Sequence, residues 1–321
     1  MRLKNVLISI PLRPEHEAQL RRALPEARVR FAPFQDLSDG ELASFDGVFG
    51  LPGKSVLPKL KGLKMLQLPM SGVADYLLTL RELRPGAVMC SSTGAFGQSI
   101  SEYLLGYLLM LTKRLHEYRD DQREGLWENR GEIRSIRGMT VLIVGAGNIG
   151  TDFARLMTLM GARTLGVRRG RGPDKPEFDR MHTMDELDSL LPQADAVALS
   201  LPDTPQTAGL MDARRIGLMK KGSYLLNVGR GSVLDQDALL NALRSGHLAG
   251  AAIDVTVPEP LPPEHPLWKE KNLILTPHIS GNYNLPATLD KAVAIAAHNL
   301  AAWPEGPYRS QVDYDSGYRA Q

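Results

Sequence analysis

The run "MTVLIVGAGNIGTDFARLMTLMGARTLGV", beginning at Met139, constrains this chain more than any other stretch. A β-branched segment enters Gly145, glycines stand at Gly145, Gly147 and Gly150, apolar residues recur at helical spacing, and a second β-rich run, "RTLGV", follows. Three glycines at this spacing have many chance matches, but the strand, turn, helix and strand around them specify a dinucleotide fold. Gly145 permits the tight turn, Gly147 lets backbone approach a pyrophosphate, and Gly150 lets the helix pack against the sheet. With Asn148 and Ile149, the amides at the helix start supply an anion site. A glycine-rich turn in an α/β domain that binds no cofactor is the competing reading.

Further strands read at "DAVALSL", "SYLLNVG", "LAGAAIDV" and "NLILTP", with helical stretches such as "QDALLNALRSG" between them. In an open parallel sheet the crevice outside the carboxyl ends of the strands is where a ligand sits, so their loops belong together. At 321 residues the chain is long enough for two domains of ordinary size. The N-terminal part alternates "NVLISI", "EHEAQLRRAL", "ARVRF", "FDGVFG" and "LKMLQL", the pattern of an α/β domain with a mainly parallel sheet. A longer helix is expected through "SISEYLLGYLLMLTKRL", capped by Ser99 or Ser101, with the polar tract Gly125 to Gly138 separating it from the glycine-turn unit. "LPATLDKAVAIAAHNLAAWPEG" reads as a terminal helix crossing back to the first domain, and two crossings would make a hinged cleft.

Charge and cysteine usage remove several classes. The net charge of +2 comes from 38 basic and 36 acidic side chains spread along the chain, which argues against a nucleic-acid footprint or a basic membrane patch. Cys90 is the only cysteine, so no intrachain disulfide or multi-thiolate zinc site can form, and no metal is expected. The most apolar segment, "YLLGYLLMLT", is about half the length that spans a bilayer. The N-terminal "MRLKNVLISIPLRPEHE" is a poor secretion signal, and a cytoplasmic location is expected.

Strand-end loops carry Arg230 in "NVGRGSVLD", Asp254 in "AAIDV", Glu259 in "VTVPEP" and His278 in "TPHISG". A 2-keto acid needs a fixed cation near its carboxylate and carbonyl oxygen, and its reduction creates an alkoxide that must gain a proton. Arginine supplies directional donors without surrendering its charge, histidine moves a proton near neutral pH, and a carboxylate beside histidine orients the ring. Singly, Arg230 reads also as a sheet-edge cap or cofactor ligand, Asp254 as a turn acceptor, Glu259 as a surface acid and His278 as a packed loop residue. Their joint placement on successive loops favours catalysis.

The motifs "VLIVGAGNIG", "LPDTPQTAGLM", "LLNVGRGSVLDQDALLNAL", "GAAIDVTVPEP" and "LTPHISG" stand in the order found in D-isomer specific 2-hydroxyacid dehydrogenases, which the chain resembles over nearly its whole length. The resemblance implies Arg230, Glu259 and His278 as the active triad and Asp254 as a holder of the nicotinamide carboxamide. It implies that backbone amides of Ser71, Gly72 and Val73 in "PMSGVAD" meet the substrate carboxylate, with Leu51 in "FGLPGKS" as a pocket wall. Leu201, Pro202, Thr207, Val228, Gly229, Arg230, His278 and Gly281 join the glycine turn as expected cofactor contacts. The implied architecture is α/β: two Rossmann-like domains with parallel sheets, a flavodoxin-like substrate domain of residues 1–98 and 285–321, and an inserted nucleotide-binding domain of residues 99–284. A homodimer through the inserted domain is implied as well, its segment including Tyr103, Leu104, Tyr107 and Leu108, which read equally as ordinary core residues.

The second strand of the glycine-turn unit ends "LGVRRGRG", where a site preferring NAD would commonly carry an acid for the ribose hydroxyls. Arg168 stands there instead, followed by Arg169 and Arg171, and no nearby acid is expected to repel a 2′-phosphate, so NADP(H) is favoured over NAD(H). The expected activity is reversible NAD(P)H-dependent reduction of a small 2-keto acid, such as glyoxylate or hydroxypyruvate, to the D-2-hydroxy acid, as in the glyoxylate/hydroxypyruvate reductase branch. The alternatives are a dehydrogenase for a larger or aromatic D-2-hydroxy acid and an NAD(P)(H)-sensing interaction protein without turnover. The intact set Arg230, Glu259 and His278 speaks against the last.

Overall fold

The computed structural model describes residues 2–314. Among these, residues 2–95 and 283–314 form one compact unit and Phe96–Asn282 the other. Residues 1 and 315–321, which the expected substrate domain includes, lie outside the described residues.

The first unit runs β1 (Asn5–Ser9), α1 (Pro14–Ala23), β2 (Arg28–Phe31), α2 (Asp39–Ser44), β3 (Gly47–Gly50), β4 (Met65–Gln67), α3 (Ala74–Leu83) and β5 (Val88–Cys90). Its five strands are parallel in the order β2-β1-β3-β4-β5, the flavodoxin-like arrangement. Both faces of the sheet are covered, so its strands are apolar on alternate and on consecutive residues alike. Leu7, Val48 and Leu66 pack with Leu42, Leu57 and Leu80 on one face. On the other, Val6, Ile8 and Met65 pack with Val293, Ala296 and Leu300 of the terminal helix, Pro286–Ala302. That helix is fixed by a buried polar link: Asn299 donates to Gln67 (2.7 Å) and to the carbonyl of Arg309 (2.8 Å), and accepts from the Arg309 amide (2.7 Å).

The second unit begins with α4 (Gly97–Thr112) and α5 (Leu115–Glu124). It continues through β6 (Thr140–Val144), α6 (Asn148–Leu159), β7 (Arg163–Arg168), β8 (Arg180–Thr183), α7 (Leu187–Leu190), β9 (Ala196–Leu199) and α8 (Ala213–Leu218). β10 (Ser223–Asn227), α9 (Gln236–Arg244), β11 (Leu248–Ile253) and β12 (Leu273–Leu275) complete it. All seven strands are parallel in the order β12-β11-β10-β9-β6-β7-β8. The chain winds outward from β6 to β8 and then restarts on the other side of β6 with β9. That reversal opens a crevice at the carboxyl ends of β6 and β9.

Two local expectations are corrected. α4 starts at Gly97 with Phe96 at its cap position, so Ser99 and Ser101 lie inside the helix. The Ser99 hydroxyl donates to the Ser280 carbonyl (2.8 Å), and that of Ser101 to the Gln98 carbonyl (3.0 Å). The single helix expected through Leu115 is two, because Arg114 adopts a left-handed conformation (φ 58°) that ends α4 and starts α5. For Leu104, Tyr107 and Leu108, which are buried within the chain, the core reading of the two holds. Among the described residues, no helix is long and apolar enough to cross a membrane, and no group of three or more His, Cys, Asp or Glu could hold a metal ion.

Candidate active site

Because every strand of the second unit points the same way, the loops that follow β6, β7, β9, β10, β11 and β12 emerge at one edge of one sheet. After β6, Gly145 has φ 110°, and a Cβ there would stand 2.7 Å from the Ser200 carbonyl oxygen, so only glycine fits. Ser200, at the end of β9, donates its hydroxyl to the Gly145 carbonyl (2.8 Å) and ties the two sides of the switch point. A Cβ on Gly150 would lie 2.2 Å from the same carbonyl oxygen. Gly147 differs: nothing lies within 4 Å of the position of its Cβ, and no side chain caps α6, which begins at Asn148. The first amides of α6, Asn148 and Ile149 among them, are therefore available to an anion, and the open space over Gly147 suits the diphosphate of a dinucleotide.

Arg168 ends β7, and its guanidinium donates to the Gly172 carbonyl, closing the basic loop on itself. A cavity of about 230 Å³ here is lined by Arg168, Arg171, Asp174, His182, Thr183 and Glu186 among others. The expectation of no nearby acid is thus corrected: Asp174 stands in the same loop, and β8 with the turn after it, not legible from the sequence, brings Glu186 in. Glu186 is already engaged: it accepts from the Thr183 amide (2.9 Å) and hydroxyl (3.1 Å) and pairs with His182 (2.9 Å). The Thr183 amide, with His182, pulls its carboxyl down to about 2. A larger cavity of about 270 Å³ in the first unit, lined by Ile8, Ile10, Leu12, Phe31 and neighbours, carries none of the expected chemistry.

After β9, Leu201 is buried, and Thr207 shapes the turn by donating to the Pro202 carbonyl (2.6 Å) and accepting from the Thr204 amide (2.9 Å). After β10, Val228 is buried and Gly229 sits against Leu201, whose backbone a Cβ would meet at 2.5 Å. Asn227, fully buried at the end of β10, was not singled out from the sequence. Its side chain accepts from the Gly229 amide (3.0 Å) and donates to the Arg230 carbonyl (3.1 Å), fixing the backbone on both sides of that residue. Arg230 donates once to the Gly229 carbonyl (2.7 Å), which leaves most of its five N–H groups to other acceptors. Gly231 allows this loop to touch the next, since a Cβ would stand 2.3 Å from Thr256 backbone.

After β11, Glu259 accepts from the Thr256 amide (3.0 Å) with one oxygen and lies 2.8 Å from His278 Nδ1 with the other. A carboxylate only accepts, so Nδ1 carries the hydrogen and Nε2 faces away from Glu259. Asp254 is 1 % exposed. Its Oδ1 accepts from Thr276 Oγ1 (2.5 Å) and the Ile279 amide (3.0 Å); its Oδ2 accepts from the Ser280 amide (3.0 Å) and hydroxyl (2.5 Å). The His278 amide donates to the Asp254 carbonyl (2.8 Å), and His278 has φ 52°, a conformation that costs a non-glycine residue about 1–3 kcal/mol. Tyr107 hydrogen-bonds Thr276 (2.6 Å), and a Cβ on Gly281 would meet Ile100 (3.1 Å), so α4 backs the same loop. Thr276 and Ser280 flank His278 in the motif, but their role depends on a contact with a residue more than twenty positions away.

In the first unit, Leu51 follows β3 and is exposed. Ser71, Gly72 and Val73 follow β4, with Val73 at the cap position of α3 and no capping side chain. This loop is held through its carbonyls: the Ser92 amide donates to Met70 (3.0 Å) and the Tyr283 hydroxyl to Pro69.

Asp254→Asn puts an amide NH₂ where two donors now point, and loss of a charged hydrogen bond costs about 1.5–3 kcal/mol. Hydrogen exchange at the Ile279 and Ser280 amides is expected to rise by about tenfold or more. Unchanged exchange would show that Asp254 does not hold the His278 loop.

A profile described as "D-isomer specific 2-hydroxyacid dehydrogenase, NAD binding domain" matches residues 105–280. A protein of Escherichia fergusonii named glyoxylate/hydroxypyruvate reductase A is 31 % identical over 305 residues, 93 % of this chain and 94 % of that protein. Among solved structures, a D-isomer specific 2-hydroxyacid dehydrogenase family protein of Aeromonas salmonicida superposes with a TM-score of 0.86 at 32 % identity, covering 97 % of this chain and 99 % of that one. A D-isomer specific 2-hydroxyacid dehydrogenase of Xanthobacter autotrophicus, solved in complex with NADPH and MES, superposes with a TM-score of 0.84 at 27 % identity, covering 99 % and 100 %. With the profile covering more than half of its residues and one relative matching almost its full length, the chain belongs to the D-isomer specific 2-hydroxyacid dehydrogenase family.

Proposed function

We propose that this protein is a cytoplasmic 2-keto acid reductase that converts a small 2-keto acid, such as glyoxylate or hydroxypyruvate, reversibly to the D-2-hydroxy acid, with NADPH preferred to NADH. The observation that carries the reading is the His278–Glu259 pair at 2.8 Å, on the same sheet edge as Arg230 and the open turn at Gly147. The name of the Escherichia relative and the NADPH bound by the Xanthobacter protein support the substrate class and the cofactor. The unit Phe96–Asn282 is the nucleotide-binding domain in this reading and the other unit the substrate domain, with Ser71, Gly72 and Val73 offering amides to the substrate carboxylate.

The nicotinamide cofactor, when bound, supplies the hydride that the keto carbon receives. Gly145, Gly147, Asn148, Ile149 and Gly150 would hold its diphosphate, and Arg168 with Arg169 its 2′-phosphate. Arg230 directs guanidinium N–H groups at the substrate carboxylate and carbonyl oxygen, which fixes the reacting face. Protonated His278 gives its Nε2 proton to the carbonyl oxygen as negative charge develops there, and is left neutral. Glu259 keeps the Nδ1 hydrogen in place throughout, and in oxidation neutral His278 takes the hydroxyl proton back. Asp254 holds the loop on which His278 turns. Its two oxygens already accept four hydrogen bonds, so its support for the nicotinamide end is indirect.

A second copy of the chain is part of the proposal. With Leu104, Tyr107 and Leu108 buried, the exposed apolar residues nearest to them in the chain, Leu115, Leu126, Trp127 and Ile133 on α5 and the segment after it, are the surface proposed for it, and Trp127 is fully exposed. Burial of such a set favours association.

Turnover of small, branched and aromatic 2-keto acids with each cofactor tests the activity. Glyoxylate or hydroxypyruvate with NADPH is expected to be fastest, and His278→Ala to lower kcat by about 10²–10⁴-fold while NADPH affinity stays within about twofold. A His278→Ala protein with near-normal turnover would remove the mechanism. Arg168→Asp should lower kcat/KM for NADPH more than for NADH, and equal losses would count against the 2′-phosphate assignment. Sedimentation should give twice the 35.3 kDa chain mass and, for Trp127→Glu, the single-chain mass; an unmodified monomer at micromolar concentration would refute the dimer.

A further inference from the structure

Lys175 lies in the loop after β7, between Pro173 and Pro176, and was not singled out from the sequence. Its ammonium donates to the Ala146 carbonyl (2.6 Å), inside the glycine turn, and to the Thr151 hydroxyl (3.1 Å) in the first turn of α6. Two residues on, Glu177 pairs with Arg155 of α6 (2.7 Å), a second stitch between this loop and the helix. The loop that carries Arg169 and Arg171 is thus anchored at its far end to the turn that opens at Gly147.

The electrostatics of this anchor are unfavourable as they stand. A cation sits at the amino end of α6, where the helix dipole is already positive. The charged groups around it are Glu177 from its own loop, Arg168 from β7 and Arg155 from α6, and Glu177 is taken by Arg155 (2.7 Å). Burial, then Arg168 and Arg155, push the ammonium below the ordinary lysine range against the pull of Glu177. An ammonium has three donors, and two are used on uncharged oxygens. A charge held in this way is offset by an anion at the same helix terminus.

We infer that Lys175 is a positioning residue for the cofactor diphosphate: it holds the Ala146 carbonyl back so that the following amides face outward, and adds positive charge to the terminus that receives the diphosphate. This rests on the nicotinamide-cofactor reading above. The diphosphate is common to NADPH and NADH, whereas Arg168 and Arg169 are assigned to the 2′-phosphate, so the two roles separate by experiment.

Dissociation constants for NADPH and NADH, measured on the full chain by quenching of tryptophan fluorescence, provide the test. Lys175→Met is expected to weaken both by about tenfold or more and by the same factor within about two, since both cofactors lose the same positive charge at the helix terminus. Lys175→Arg should recover most of the loss. Lys175→Gln, which keeps a neutral donor should the Met variant fail to fold, should weaken both to a smaller extent. NADH affinity of the unmodified protein should fall as pH rises through the lowered range of Lys175, and this fall should be missing in the Met variant. Loss confined to NADPH would make Lys175 a 2′-phosphate ligand and overturn the inference, and so would unchanged affinities. If the unmodified protein binds neither cofactor, the reading beneath the inference fails first and takes it along.

Discussion

A carboxylate taken out of water is tolerated only when donors replace the water, and Asp254 has four of them. Three residues of one short loop, Thr276, Ile279 and Ser280, supply those donors, so the loop has one conformation in which the carboxylate is satisfied. His278 stands in the middle of it and takes up a left-handed backbone as the cost of closing the loop around Asp254. The side-chain direction that brings Nδ1 to Glu259 follows from that backbone. An interaction that involves no reacting atom therefore sets the geometry of the group with the proton.

The same logic recurs at the neighbouring loops, with glycine as the device. Gly145 against Ser200, Gly229 against Leu201 and Gly231 against Thr256 are each closer than any side chain allows, and together they draw the loops after β6, β9, β10 and β11 into contact. Asn227 and Ser200 then satisfy the backbone groups that such closeness leaves without strand partners. Arg230 and Glu259 come from different strands but from loops in van der Waals contact, so a shift of one is transmitted to the other.

Much of this was legible in the sequence because the signals are local. The strand, three glycines and helix around Gly145 carry their own physics, and Arg230, Glu259 and His278 sit in loops that directly follow recognisable strands. β8 was missed because "RMHT" is a half-exposed edge strand without an apolar run, and with it went Glu186 beside Arg168, whereas Asp174 stood in the same loop and was passed over. The break at Arg114 was missed since its left-handed conformation lies in a residue that carries no turn signal. Thr276, Ser280 and Lys175 act through partners distant in sequence, so no spacing rule reports them; Asn227 acts locally, on Gly229 and Arg230, but inside an apolar strand end that carries no turn signal. Ser99 shows the reverse case: a sound capping residue whose hydroxyl was claimed by a carbonyl far along the chain.

His278 and Glu259 are respectively 45 % and 38 % exposed, which bears on how such a pair can act. Between groups so open to water the attraction is screened, and a pair of this kind contributes little to stability. Its value to a reaction is positional: the hydrogen on Nδ1 fixes which nitrogen can give up a proton, whatever the strength of the pair. Strength comes once water is displaced, because the same charges at 2.8 Å interact several times more strongly in a medium of lower dielectric. In the proposed mechanism a bound keto acid would displace that water where its carbonyl oxygen begins to need a proton. On that proposal, buried rigidity at Asp254 and exposed readiness at His278 are two parts of one design, in which the loop is fixed in advance and the electrostatics are completed by the ligand.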